Sequence, residues 1–230
     1  MIQSQTYNTD SLQAMKECPD GYFDLSIVDP PFGIDAPKMS MGTNRNRKDQ
    51  KGGISISTQL KDNADTPSHL EWDTKTPSEE YFQQLFRISK NQIILGGNYF
   101  NLPPTRGIVC WDKLQYWDSF SQFELIWTSF NVPAKIFRLG GRGGSNDNEH
   151  KRIHPTQKPI KLYEFLLLQF AKKGDKILDT HLGSGSSRIA CYKHGYDFTG
   201  YEINESYYNS QEKRFQEFYE NAEQSLFRQK

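Results

Sequence analysis

The chain has 230 residues, 28 of them basic and 28 acidic, so its formal net charge is zero. That length suits one sizeable domain, and the charge balance excludes recognition of a polyanion by the overall field of the molecule. Three scattered cysteines, no Cys-x-x-Cys pair and no apolar run near the roughly 20 residues of a membrane span argue against a disulfide framework, a zinc knuckle and a transmembrane protein, and a soluble cytoplasmic chain is expected. His150 and His154 are four apart, but Pro155 argues against one helical face presenting both, and no metal site is expected.

The first strand candidate is "SQTYN" (4–8), after which Asp10 is placed to cap a helix in "SLQAMKEC". "FDLSIV" (23–28) reads as a buried strand and runs into Asp29-Pro30-Pro31-Phe32. From Gly33 to Trp72 the composition shifts to Gly, Ser, Asn and basic residues, a basic insertion whose stretch from Met39 to Leu60 has little apolar area to bury and is expected to be mobile in the free protein. "TPSEEYFQQLFRISK" opens a helix with Thr76 as N-cap, Pro77 at the first helical position and Glu79 closing a capping box. Four strands are predicted next, at 91–96, 107–112, 123–128 and 134–139. A second basic stretch spans 135–158. "KPIKLYEFLLLQFAKKG" places Leu162, Phe165, Leu166, Gln169 and Phe170 at helical spacing, with Gly174 as its C-terminal cap. Strands at 175–179 and 197–202 enclose a helix over 186–194. A long terminal helix follows, expected to bury Tyr208, Phe215, Phe218, Ala222 and Leu226 on one face. Near-continuous apolar strands alternating with helices predict an α/β fold with a doubly wound, mainly parallel sheet and one reversed strand at its edge.

"KILDTHLGSGSSRIACYKHGYDFTGYEIN" carries the first chemical signal. A strand ends at Asp179, Gly183 and Gly185 make a tight turn into a helix, and a second strand ends in Glu202. This is a βαβ nucleoside-binding unit, in which the closing acid bonds ribose hydroxyls. A dinucleotide fingerprint would place Gly where Arg188 stands, and a P-loop would need Gly-Lys-Ser/Thr, so the ligand is read as a nucleoside without phosphates. S-adenosylmethionine is the obvious candidate.

Asp29-Pro30-Pro31-Phe32 carries the second. The exocyclic amine of adenine or cytosine is a poor nucleophile because its lone pair is delocalised into the ring. A carboxylate and a backbone carbonyl that both accept from it pull the nitrogen toward tetrahedral geometry and stabilise the charge that develops on methylation. Asp29 and Pro30 supply that pair, Pro31 stiffens the turn, and Phe32 is placed to stack on an extruded base.

With these segments in view, the sequence resembles the DNA amino-methyltransferases in which the Asp-Pro-Pro-Phe segment precedes the cofactor glycine loop. "ILGGNYF", "WDK", "FELIW" and "HPTQKPIKLYEFLL" extend the resemblance over nearly the whole chain. It implies a Rossmann-like S-adenosylmethionine-dependent methyltransferase fold with permuted segment order, on a single catalytic domain (1–230). It implies cofactor contacts from Asp10, His154, Thr156, Lys158, Asp179, His181, Gly183, Ser184, Gly185, Ser186 and Glu202. Many relatives have Pro-Phe where this chain has Thr180-His181, and His181 is read as a substitute pocket wall. An Asp before Pro-Pro leans toward adenine as the target, with cytosine-N4 methylation, a catalytically weak DNA-binding relative and a nicotinamide-dependent oxidoreductase as alternatives. DNA is the expected partner, with Arg45, Arg47, Lys48, Lys51, Arg138 and Arg142 on its phosphates. Only the short segment 128–150 occupies the usual place of target recognition, so the insertion or a homodimer partner would share that task. The recognition sequence, and pairing with a restriction nuclease, are left open.

Overall fold

The computed structural model describes residues 3–35, 73–115, 121–140, 153–154 and 156–228. Arg45, Arg47, Lys48, Lys51 and Arg142, and most of the basic insertion, lie outside the described residues. Along the chain run β1 (Ser4–Asn8), α1 (Ser11–Glu17), β2 (Phe23–Val28), α2 (Glu79–Ile88), β3 (Ser89–Leu95), a 3₁₀ turn (Gly97–Tyr99), β4 (Ile108–Asp112), β5 (Phe123–Thr128) and β6 (Lys135–Arg138). There follow α3 (Ile160–Phe170), β7 (Lys176–Asp179), α4 (Ser186–His194), β8 (Asp197–Glu202) and α5 (Glu205–Arg228).

The eight strands form one sheet in the order β1-β8-β7-β2-β3-β5-β4-β6. Register runs parallel from β1 through β3, as in Leu25 beside Ile177 and Ile27 beside Ile93. Among the described residues one strand is reversed, but inside the sheet rather than at its edge: β5 lies antiparallel between β3 and β4, and β6 closes that side parallel to β4. This interior position turns the first residues of β5 toward the carboxyl ends of all the other strands.

Alternation along the central strands supplies both faces of the sheet. On β3, Ile93 and Leu95 pack with Leu162, Leu166 and Phe170 of α3, whereas Ile94 faces Tyr81, Leu85 and Ile88 of α2 and Met15 of α1. Each such apolar side chain, once buried, contributes about 1.5–3 kcal/mol.

Local chemistry corrects several expected boundaries. Ser78, not Thr76, caps α2, its side chain accepting from the Tyr81 N–H at 3.3 Å, so the helix starts two positions later than predicted. α3 ends at Phe170 with Ala171 as cap, and Gly174, at φ +90°, belongs to the turn into β7. Within α3, Tyr163 and Leu167 are buried and Gln169 is exposed. In α5 the inserted face is Tyr207, Gln211 and Arg214, while Tyr208, Phe215 and Phe218 are half-buried. Arg188 accounts for Gln211 in that seam: Nη1 donates to Gln211 Oε1 at 3.1 Å and pairs with Glu212 at 2.9 Å, and its guanidinium lies 3.8 Å from the centre of the Phe215 ring.

Candidate active site

β7 pairs with β8 on one side and with β2 on the other, and the chain leaves this junction in opposite directions. Such a reversal opens a crevice at the carboxyl ends of the strands. A cavity of about 380 Å³ fills it, lined by His181, Leu182, Gly183 and Ser184 of the glycine loop and by Glu202, Ile203, Asn204 and Tyr207 after β8. His154, Thr156, Gln157, Lys158 and Tyr163 close its other wall, with Asp29 and Pro31 at one end. A second cleft of about 30 Å³ is lined by Asp29, Pro30, Pro31, Phe32, Asp73, Thr156 and Lys158. The two share Asp29, Pro31, Thr156 and Lys158.

The glycine loop is held from beneath. Asp179 Oδ1 accepts from the His181 N–H at 3.0 Å and Oδ2 from Ser187 Oγ at 2.6 Å. Burial pushes this carboxyl up to about 7 despite those two donors. Gly183 at φ +51° and Gly185 at φ +71° need the left-handed region, and a Cβ on Gly185 would stand 3.1 Å from Gln211 Oε1. Glu202 closes the loop from β8, with Oε2 accepting from the Gly183 N–H and Oε1 from the Asn204 N–H, both at 2.9 Å. Burial raises its pKa, and it still borders the cavity, where a carboxylate has further lone pairs to offer. Arg214 donates to Ser184 O at 2.7 Å and to Ser186 Oγ at 3.0 Å, and Ser186 Oγ donates to Lys158 O at 2.8 Å. The loop is therefore tied to α5 and to the entry of α3.

His181 occupies the wall beside Tyr81, ring centres 5.3 Å apart, with Thr180 Oγ1 3.0 Å from its Nδ1 and Tyr81 OH 2.6 Å from Thr180 Oγ1. Burial pulls its pKa down to about 4, so it is a neutral wall at neutral pH.

Around Asp29 the turn is rigid for a reason beyond its prolines. Asp73, itself buried, accepts from the N–H groups of Phe32 at 2.6 Å and Gly33 at 2.9 Å, removing the nearest backbone donors after Pro31. The Phe32 ring stacks on Tyr99 at 4.8 Å and covers Gly96, where any Cβ would approach it to 2.3 Å. Lys158 Nζ stands 3.1 Å from Asp29 Oδ1, 2.9 Å from Oδ2 and 3.5 Å from Glu124 Oε2. Lys113 in turn pairs with Glu124 at 2.6 Å. Burial raises the Asp29 pKa against the pull of Lys158. Burial works to lower that of Lys158, but the Asp29 and Glu124 carboxylates raise it further, so the lysine stays charged.

A DNA methylase family model matches residues 111–213. The type II methyltransferase M.HpaI of Haemophilus parainfluenzae is 25% identical over 243 aligned residues, covering 86% of this chain and 70% of that protein. M2.DpnII of Streptococcus pneumoniae is 25% identical over 149 residues, and the chain spans half of its length. Among solved structures, the cytosine-N4-specific PvuII DNA methyltransferase superposes with a TM-score of 0.58 over 93% of this chain and 87% of its own, at 14% identity. TTHA0409 of Thermus thermophilus, complexed with S-adenosyl-L-methionine, gives 0.51 over 92% and 94%, at 16% identity. In sequence and in fold the chain is similar to the DNA amino-methyltransferases.

The chain has the Rossmann-like fold expected of it, with Asp29 and Asp179 at neighbouring strand ends although 150 residues separate them in sequence. Of the eleven residues expected around the cofactor, His154, Thr156, Lys158, His181, Gly183, Ser184 and Glu202 line the large cavity. Four do not. Asp10 caps α1, accepting from the Leu12 N–H at 2.8 Å, and Asp179, Gly185 and Ser186 lie behind the cavity wall, where they shape the loop. Lys158 meets Asp29 at the end of the large cavity. Arg138, expected on DNA, is exposed and 3.5 Å from Asp112. Sequence reading missed Asp73, Glu124, Lys113, Tyr163, Tyr207 and Arg214. "WDK" and "FELIW" had marked the strands carrying Lys113 and Glu124, but no spacing rule joins those residues to Asp29.

Proposed function

We propose that this chain transfers a methyl group from S-adenosyl-L-methionine to the exocyclic amine of adenine in DNA. The observation that carries the reading is the meeting of two cavities at Asp29. One has the glycine loop and a ribose-type acid, and the other has the Asp-Pro-Pro-Phe turn. A cavity of about 380 Å³ is of the size that small-molecule cofactors occupy. Its donor set fits the cofactor: Glu202 offers acceptors to a vicinal diol, and His154 and Tyr207, in edge contact at 4.4 Å, make an aromatic wall. When bound, S-adenosyl-L-methionine supplies an electrophilic methyl group on a sulfonium centre.

The chain's own residues then do the rest. Glu202 and the glycine loop orient the cofactor. Asp29 and the Pro30 carbonyl accept the two N–H groups of the target amine, localise its lone pair and stabilise the charge that grows on nitrogen. Phe32 holds the base plane, which must leave the duplex stack to reach this depth. His181, neutral and packed on Tyr81, excludes water. Phosphate contacts fall to the basic residues of the insertion and of the 128–150 segment, including Arg45, Arg47, Lys48, Lys51, Arg138 and Arg142, and a homodimer partner would extend that surface.

The amine of cytosine presents the same pair of N–H groups, and the lean to adenine rests on Asp at the head of the Pro-Pro turn. Nucleoside mass spectrometry of DNA from cells expressing the chain is the test. N6-methyladenine above the vector control supports the proposal; N4-methylcytosine instead transfers the same mechanism to cytosine, and neither product refutes the activity.

A further inference from the structure

Lys158 stands where the target amine must bind. Its ammonium holds both oxygens of Asp29, and a cation there competes with the positive charge that methylation builds on the amine. The same ammonium is 3.5 Å from Glu124 Oε2, a buried oxygen without a hydrogen-bond partner among the described residues. Glu124 Oε1 is anchored by Lys113 at 2.6 Å. Glu124 is thus fixed by one oxygen and offers the other. Lys113, Glu124, Lys158 and Asp29 form an alternating series of charges, each side chain no more than 15% exposed, with zero net charge.

We propose that Glu124 is a positioning residue for methyl transfer, a second berth for the Lys158 ammonium, which leaves Asp29 for Glu124 Oε2 when the target amine enters. The inference rests on the function proposed above and deepens it. Without substrate, the Lys158 ammonium on both Asp29 oxygens offsets the burial that disfavours the carboxylate. With substrate, Glu124 takes the lysine, and the whole charge of Asp29 is left to the amine. The ammonium has to close only from 3.5 Å to hydrogen-bond distance, no covalent bond changes, and the four charges stay balanced. The reversed strand makes this possible: β5 runs against its neighbours, so its second residue, Glu124, lies at the end of the sheet where β2 delivers Asp29.

The test is methyl transfer to DNA measured against pH for the parental chain, Glu124→Gln and Glu124→Asp, with cofactor Kd and thermal unfolding alongside. Glu124→Gln leaves Lys158 a single carboxylate. Its kcat is expected to fall about 10- to 100-fold while cofactor Kd stays within about twofold. The acid limb of its kcat profile moves to lower pH, because an undivided ammonium and the loss of a neighbouring negative charge both favour ionised Asp29. Glu124→Asp restores a carboxylate and recovers most of kcat and the parental acid limb. Parental kcat in Glu124→Gln, or a lost kcat with an unmoved acid limb, overturns the proposal. A crystal structure of the parental chain with S-adenosylhomocysteine and DNA decides independently of whether the variants fold. Lys158 Nζ within about 3.2 Å of Glu124 Oε2 supports the second berth, and Nζ still on both Asp29 oxygens beside a bound base overturns it. Absence of transfer by the parental chain overturns the proposed function and this inference together, whereas failure of the variants or of the Lys158 position overturns the inference alone.

Discussion

Asp29, half-buried, and Glu202, buried, are both carboxyls at strand ends, yet their surroundings give them different work. Asp29 faces an ammonium and a proline turn with few donors; Glu202 faces two backbone N–H groups that lock the glycine loop. Asp29→Ala should therefore lose about 3 kcal/mol of transition-state stabilisation, roughly a hundredfold in kcat, with cofactor affinity close to parental. Rapid-quench transfer and calorimetry read the two effects separately, and full activity in the variant would sink the mechanism. Glu202→Ala should do the opposite, weakening S-adenosyl-L-methionine binding by about 1.5–3 kcal/mol, because charge-assisted hydrogen bonds to the ribose and the support of Gly183 go together. Calorimetry showing unchanged affinity would remove Glu202 from the cofactor site.

At the scale of elements, the site depends on turns that allow backbone and ring to touch. The turn after β3 brings Gly96, at φ +66°, under the Phe32 ring, so the strand that neighbours β2 also seats the last side chain of the Asp-Pro-Pro-Phe turn. Gly96→Ala puts a methyl 2.3 Å from that ring and asks for a left-handed alanine besides. We expect a loss of about 1–3 kcal/mol in urea unfolding. A fall in transfer activity should come with it, since Phe32 can relieve the clash only by leaving its stack on Tyr99. A variant with parental stability and turnover would show that the ring has room to move. Asp73 plays the matching part on the other side of the turn, where its carboxylate replaces water for two backbone donors.

For the molecule as a whole, the buried titratable groups at the sheet's carboxyl ends set the response to pH. Folding pushes the Asp179 carboxyl up to about 7 from an unfolded value of about 3.9. Between those values the folded chain keeps a proton that the unfolded chain has released. This group's contribution is therefore complete below about pH 4 and is lost as pH rises through 7. His181 works in the reverse sense: lowered to about 4, it favours the fold above its ordinary value and loses that contribution as pH falls. Asp179→Asn removes the first effect and leaves the second. Its stability relative to the parental chain should rise by more than about 1 kcal/mol between pH 5 and 8, measured by urea unfolding. A difference that stays level across that range would mean that Asp179 is ionised in the folded protein.

The sequence by itself determined the elements and the chemistry at two strand ends. All eight strands were legible because apolar runs bounded by turn residues are local signals, and the glycine loop and Asp-Pro-Pro-Phe turn were legible because their backbone needs are written in adjacent residues. The local signal ran out where a neighbour decided the outcome. Asp10 caps α1 as its sequence position predicts, and the hydrogen bonds by which Asp179 holds the glycine loop, to the His181 N–H and Ser187 Oγ, are seen only in the folded chain. The aromatics of α5 share their buried seam with Gln211 and Arg214, because Arg188 on α4 takes Gln211 as a partner and the glycine loop takes Arg214. Strand order was decided only in three dimensions: an antiparallel β5 inside the sheet carries Glu124 to Lys158 across 34 residues, and Lys158 to Asp29 across 129. No periodicity encodes such a contact, because the groups that balance a buried charge need only share a place in space, not a spacing in the chain.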